Sequence, residues 1–344
     1  MIHHSLSLRL RHSLRVAAAL VAVAAVSSSC DSAIYDYEGD CSVTYKMRFR
    51  YDHNMKYADA FAHEVKSVTL YAFDAADGSL VYTKTESGDA LAAEGYTMTL
   101  DGLPQGSYDF VAWGGTEGHD AYLLPDLTSR AASRNDVTCS LNVKTDDNGL
   151  YLDRYLDPGL FHGRIADTQT LPELGEMVMT MPMVKNTNHL TVVLQHISGE
   201  AVKASDFNFR VEGARNAVMG HDNAIISDAE VTYHAWHTND NSDNVTSVGA
   251  AVADISLGRL MEGDNPRLVI TRADNGDTVL SIPLIDYLLL VKGHYNSGMS
   301  DQEYLDRQDV YNMTFFIDEG HRWINTHIYI NSWRVVLDNV DFQS

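Results

Sequence analysis

Three Cys, 15 His and 47 Asp and Glu are the side chains of this 344-residue chain that could bind a metal, carry a proton or act as a nucleophile. Their spacing argues against most such chemistry. His234 and His237 are three apart, but in an alternating segment they fall on opposite faces, and no acidic metal motif accompanies them. The run Thr238-Asn239-Asp240-Asn241-Ser242-Asp243-Asn244 is rich in oxygen ligands suited to Ca²⁺, yet it lacks the glycine and terminal glutamate of a helix–loop–helix calcium loop. Asp146-Asp147-Asn148-Gly149 has the same defect, and both read as solvated loops. There is no Gly-x-Ser-x-Gly elbow, no His-Glu-x-x-His and no phosphate-cradling glycine loop. Among so many carboxylates no Asp/Glu pair stands out as acid and base. The expectation is a protein that is not an enzyme and has neither metal nor cofactor. The 4 Trp and 18 Tyr could line a sugar-binding face, but these are also the usual strand residues of a β core.

Cys30 is the residue whose surroundings suggest one specific reaction, acylation of its thiol. Arg9, Arg11 and Arg15 make a positive opening with no acid before Asp31, and Val16 to Val26 contains only Ala, Val and Leu. That run is too short to span a bilayer but suits the apolar part of a secretory signal. Ser27-Ser28-Ser29 then leads into Cys30, and small residues before a lone cysteine resemble a lipobox, although Ser27 stands where Leu is usual. The alternative is an ordinary secretory signal with Cys30 merely near the cut. Acyl chains on one residue give stable membrane attachment, since each buried methylene contributes about 0.8 kcal/mol. Cys41 and Cys139 are then the thiols left over. An exported, oxidising compartment permits a disulfide between them, and the sequence leaves the paired and unpaired states open. Three cysteines exclude both a disulfide-dense scaffold and a four-thiolate zinc site.

Charge narrows the class further. With 25 Lys and Arg against 47 Asp and Glu the formal net charge is −22, and loss of the signal with its three arginines makes it more negative still. Such an anion repels phosphate backbones, so nucleic-acid binding through a basic surface is excluded. A hydrophobic fraction of 45% places the acidity on a folded protein.

The elements that must position any site read as strands and turns. Val43 to Tyr51 alternates apolar and polar for nine residues, which specifies a strand with one buried face. Residues 58–64 read as a short helix, 65–73 as a strand, and Asp77-Gly78 as a tight turn before 80–82. Residues 96–100 alternate again and run into Leu103-Pro104-Gln105-Gly106-Ser107-Tyr108, where Pro presets φ and Gly106 permits the positive φ of a turn. Residues 109–113 make a further strand. A second set begins near 187, with strands at 189–194, 207–211, 229–233, 252–257, 267–272 and 278–282, the last two joined by Asn275-Gly276. Residues 285–291 and 300–307 read as helical, Ser300 capping the second with Glu303 three residues on. Strands at 311–317, 323–330 and 333–337 close the chain. Strands at this spacing argue an antiparallel sandwich. The organisation expected is a signal peptide over 1–29, an acidic tether over 30–41 and two β-sandwich domains over 42–186 and 187–344.

Several segments resemble the FimB-type fimbrial anchor lipoproteins of the Bacteroidetes, subunits of type V pili. They are Leu103 to Tyr108 running on through Val111-Ala112-Trp113-Gly114; Lys185-Asn186-Thr187-Asn188; Glu303-Tyr304-Leu305-Asp306-Arg307-Gln308-Asp309-Val310-Tyr311; and the end of the chain, Trp323-Ile324 through Ile328-Tyr329-Ile330-Asn331-Ser332-Trp333 to Val340, with Ser332 where Gly is common. The resemblance implies an all-β chain of two tandem transthyretin-like Greek-key β-sandwich domains. It implies lipid attachment through Cys30 to the outer membrane, exposure at the cell surface, and a place at the base of a fimbrium. The implied partners are the major fimbrial pilin or accessory pilins, met through β-strand-mediated contacts. Arg48 and Arg50 lie on the polar face of the first strand with no separate leader before them, and a subunit held by its lipid cannot lose that strand without detaching, so an uncleaved acceptor or terminator role is expected. A surface glycan-binding lipoprotein and a fimbrial tip adhesin of the same fold are the alternatives.

Overall fold

The computed structural model describes residues 43–118, 120–127, 132–240, 249–293 and 296–335. Residues 45–172 and 177–344 make one unit, and residues 1–44 with 173–176 make another. The chain is all-β, and among the described residues its strands form four sheets.

The first sheet is built from the early part of the chain. Its order is Leu80–Ser87, Ser67–Asp74, Ser107–Gly114, Phe161–Arg164, Gly175–Lys185, Val43–Arg50 and Met98–Thr99. The alternation of Val43–Arg50 does what it predicts: Tyr45, Met47 and Phe49 are buried while Arg48 and Arg50 are exposed. Ser67–Asp74 differs, since it is buried on both faces up to Asp74. Leu70 and Ala72 enter one core with Met47, Phe49 and Phe110, whereas Tyr71 and Phe73 enter another with Val111 and Trp113. Gly175–Lys185, a strand the sequence reading did not contain, sends Met179, Met181 and Met183 into the first of these cores. The ladder from Phe161–Arg164 covers Met183 to Lys185, so Pro182, which has no N–H to give, falls just outside it. In the turn ahead of Ser107–Gly114 the left-handed residue is Gly102, at φ +79°, and not Gly106. Gly106 serves a close approach, because a Cβ there would lie 2.8 Å from the Tyr108 hydroxyl oxygen.

The second sheet runs His237–Asn239, Ala251–Leu257, Asn188–His196, Val310–Ile317, Trp323–Ile330, Trp333–Val335. The third runs Thr278–Pro283, Arg267–Arg272, Phe207–Ala214, Val231–His234, Gly149–Leu152, Lys144–Asp146. Both contain a parallel pair where only antiparallel pairing was expected: Leu190 is opposite Tyr311, and Val231 is opposite Leu150. Asn188–His196 and Val310–Ile317 are far apart in sequence and joined through other elements, which is the connection a parallel pair requires. The Gly276 turn at φ +77° joins Arg267–Arg272 to Thr278–Pro283 as its Asn-Gly sequence suggests. The α-helices among the described residues are Phe61–Glu64, Leu284–Leu289 and Asp301–Arg307, the last capped by Ser300, whose Oγ accepts from the Glu303 N–H at 3.0 Å.

The pairing of Gly149–Leu152 with Val231–His234 carries a hairpin from before residue 186 into a sheet otherwise made after it. Cys139–Leu141 likewise pairs with Val218–Met219. One hydrophobic cluster accordingly runs through Trp113, Tyr122, Cys139 and Leu160 into Leu190, Val211, Tyr233 and Phe315. The stretches before and after residue 186 share this core.

Candidate functional site

Two of the segments that carry the sequence resemblance meet where the early and late parts of the chain join. Lys185 ends its strand with Nζ 2.6 Å from Asp309 Oδ2 and 3.0 Å from Glu64 Oε2. Burial pulls the Lys185 pKa down, but the carboxylates of Asp309 and Glu64 outweigh it and hold the ammonium above its ordinary value. Asn186, Thr187 and Asn188 follow, all buried. Asn186 exchanges amide hydrogen bonds with Asn223, the Thr187 hydroxyl accepts from the Leu160 N–H at 3.3 Å, and Asn188 Nδ2 donates to the Gly258 carbonyl at 3.2 Å.

The helix Asp301–Arg307 supplies the other half of the joint. Arg259 forks onto Asp306 at 3.0 and 2.7 Å, the two side chains only 11% and 10% exposed, and also donates to the Asn223 carbonyl. Arg307 donates to Glu303 at 2.8 Å and to the carbonyls of Asp52 and Asn54, and its guanidinium lies 4.7 Å from the Tyr57 ring centre. Each buried charge therefore has an opposite partner or a carbonyl. That is the requirement for keeping such groups out of water, and it makes this a structural joint, not a reactive centre.

The exposed aromatic residues form a second assembly. Between Val231–His234 and His237–Asn239 the chain passes from the third sheet to the second, and Trp236 lies in the crossing. Its ring centre is 4.7 Å from that of Tyr155, Tyr155 is 4.9 Å from His189, and Trp236 is 5.5 Å from His237. Trp236 is 37% exposed and Tyr155 45%. Beside them Asp254 accepts from the Thr191 hydroxyl at 2.7 Å and pairs with His237 Nδ1 at 3.0 Å, while Ser256 Oγ is 3.2 Å from His189 Nδ1. Trp113 is fully buried and Trp333, on the strand at the edge of the second sheet, is 64% exposed. The opposite edge of the molecule's first sheet, Leu80–Ser87, borders an open groove of about 580 Å³ lined by Thr69, Tyr71, Thr83, Thr85, Leu124 and Leu127.

The residues singled out in the sequence are distributed as follows. Cys30 and Cys41 lie outside the described residues. Cys139 is a free thiol, fully buried, and burial pushes its pKa far up. His234 and His237 end up on different sheets, a wider separation than the opposite faces of one strand. Asp146 turns inward on its own hairpin, accepting from the Asn148 N–H at 2.8 Å. Asp240 accepts from the Ala204 N–H at 2.6 Å, and residues 241–248 lie outside the described residues. Among the described residues no group of three or more His, Cys, Asp and Glu is arranged to hold a metal ion. Arg50 pairs with Asp52 at 2.6 Å. Asn223, Arg259, Tyr155 and Trp236 are the members of these two assemblies that the sequence does not single out; the Tyr233-His234-Ala235-Trp236-His237 run is a visible aromatic signal.

No curated protein matches the chain. A crystal structure of a candidate adhesin from Bacteroides thetaiotaomicron is 34% identical, covering 86% of this chain and 97% of that one at a TM-score of 0.75. A candidate polysaccharide-binding protein from the same organism is 29% identical, covering 87% and 99% at a TM-score of 0.76. The fimbrial anchor protein Mfa2 from Porphyromonas gingivalis is 15% identical and shares the fold, covering 87% and 100% at a TM-score of 0.65. The family model of the fimbrillin-A associated anchor proteins Mfa1 and Mfa2 matches residues 37–339. The chain thus belongs to the fimbrillin-A associated anchor proteins Mfa1 and Mfa2, a family of fimbriae and adhesion.

Proposed function

We propose that the protein is a lipid-anchored outer-membrane subunit that anchors and terminates a fimbrium, without catalytic activity. The observation that carries this reading is the family match over residues 37–339, which begins shortly after Cys30. Cys30 is the lipid attachment site, and no helix among the described residues is long and apolar enough to cross a membrane. The partners are the major pilin or accessory pilins, met through a sheet edge, and the strands Leu80–Ser87 and Trp333–Val335 are two of the edges among the described residues. A joint in which buried charges are paired and one core runs through both parts of the chain suits a subunit that carries load between a membrane and a polymer.

The test is Cys30→Ala in the full chain. The mature variant and its fimbriae should appear in the medium, and the wild type should bring a pilin with it when captured from outer membranes. A variant that stays membrane-bound through a carbonate wash would overturn the anchor.

A second reading, adhesion to saccharide, is favoured by one observation. Trp236 and Tyr155 are exposed and adjacent, and a structurally similar protein is described as polysaccharide-binding. A surface or tip role in adhesion would use such a patch.

A further inference from the structure

We propose that the row of rings on the outer face of the second sheet, with Trp236 and Tyr155 at its centre, is a binding platform for neutral pyranose glycans. It rests on the saccharide reading above and gives that reading a place and a ligand class.

The geometry begins with burial. In the strand Asn188–His196, Leu190, Val192 and Leu194 point into the core, so His189 and Thr191 face outward. Thr191 is opposite Asp254 and Asp254 is opposite His237, so these three lie in one row across the same face. Tyr155 and Trp236 lie along it, their rings inclined 35° to each other and Tyr155 inclined 40° to His189. Neither ring closes the other off, since more than a third of each stays in solvent. Exposed aromatic residues in contact with one another are costly to leave in water, and contiguous exposed apolar patches mark interaction sites.

The chemistry of the row selects the occupant. One face of a pyranose ring carries C–H groups of slight positive charge, which meet the negative face of an aromatic ring. Its edge carries hydroxyls, which donate to carboxylates and accept from imidazole or hydroxyl groups. Here Asp254, Thr191 and His237 stand beside the rings in that complementary pattern, while the buried Ser256 holds His189. A purely apolar protein strand would take the solvent-exposed parts of His237 and Asp254 out of water and offer them no new hydrogen bond.

Charge then sets the class of sugar. Asp254, Asp157 and Asp309 act on His189, and Lys185, a cation that also acts on it, is already held by Asp309 and Glu64. On a chain of net charge −22, uronic and sialic acids are repelled from this face. Neutral hexopyranoses are not.

The experiment measures binding of the mature protein to a soluble mixed-linkage glucan, a mannan and a galactan, with hyaluronan as the polyuronate. The expected result is retention by at least one neutral polymer and none by hyaluronan. Trp236→Ala and Tyr155→Ala should each weaken binding by about ten-fold, the loss expected for one stacked ring. Trp236→Phe should restore most of it, and Trp333→Ala, at a different exposed tryptophan, should change it less than about two-fold. Near-ultraviolet circular dichroism of each variant checks that it is folded. If the wild type binds a neutral polymer and Trp236→Ala and Tyr155→Ala bind it equally well, the platform is misplaced while the saccharide reading stands. If the wild type binds none of the polymers, the saccharide reading itself fails and the anchor reading is untouched. Equal binding of hyaluronan overturns the choice of neutral sugars. Loss of pilin capture in Trp236→Ala, with glycan binding intact, would make the row a protein interface.

Discussion

Asn186 and Asn223 hold each other by both ends of their amides: each Nδ2 donates to the other's Oδ1, at 2.5 and 3.1 Å. Asn223 sits at φ +66°, a conformation asparagine tolerates better than most residues, and Arg259 ties its carbonyl to the same joint. A buried amide that loses its partner keeps the whole desolvation cost. Asn186→Ala should therefore lower the unfolding free energy by about 1–3 kcal/mol. Urea denaturation checks this, and a loss below the error of the midpoint would show that water replaces the amide.

Two glycines with the same backbone separate strain from crowding. Gly78 is at φ +73° with nothing near its missing Cβ, so Gly78→Ala meets only the left-handed penalty, about 1–2 kcal/mol. Gly115 is at φ +80°, and a Cβ there would lie 2.0 Å from the Gly159 carbonyl oxygen. Backbone has to move to admit it. Gly115→Ala should cost at least about 2 kcal/mol more than Gly78→Ala, read as the difference between their urea midpoints.

His162 is a source of acid sensitivity. It is buried against Trp113, its Nε2 is 2.9 Å from the His221 carbonyl, and burial brings its pKa down to about 4. The unfolded chain takes up this proton near 6.5 and the folded chain only near 4. Stability is thus complete above about pH 6.5 and is lost as pH falls toward 4, at about 1.4 kcal/mol per unit for one proton. His53, His189, His221 and His234 are shifted in the same direction, each chiefly by burial, and add to the trend. In His162→Phe the loss between pH 7 and pH 5 should be smaller than in the wild type. Urea midpoints at the two pH values decide it, and an unchanged difference would mean that His162 takes its proton as readily in the folded chain as in the unfolded one.

Cys139 offers a chemical probe of the core. Buried, free and with its thiol pKa pushed up, it should resist iodoacetamide in the native protein and react once the chain is unfolded without reductant. Labelling that needs both urea and reductant would mean that Cys139 is disulfide-bonded, with Cys41 the partner the sequence suggests.

Local patterns were legible in the sequence and long-range ones were not. Val43–Arg50 shows its buried face because its side chains alternate without a slip, and Ser300 with Glu303 marks a helix start through a bond made within one turn. Gly175–Lys185 escaped because Pro182 interrupts a period-two series of methionines, Met177, Met179, Met181 and Met183; the proline is tolerated because the neighbouring ladder ends beside it. The parallel pairs, the Asn186–Asn223 contact and the meeting of Tyr155 with Trp236 unite residues from distant parts of the chain, and no local periodicity encodes such meetings. Lys185 to Asn188 and Glu303 to Tyr311 were noticed as motifs, but only the fold shows that they close on each other.

The hairpin Lys144–Leu152 has a consequence for biosynthesis. Its parallel partner, the strand starting at Val231, does not exist until the ribosome and the export machinery have delivered much more of the chain. Until then the strand Gly149–Leu152 has an open edge. Early release, or a stop codon between Asp153 and Val231, would leave a product that exposes this hairpin and is prone to capture by a neighbour. Expressing residues 42–186 alone should therefore yield aggregate.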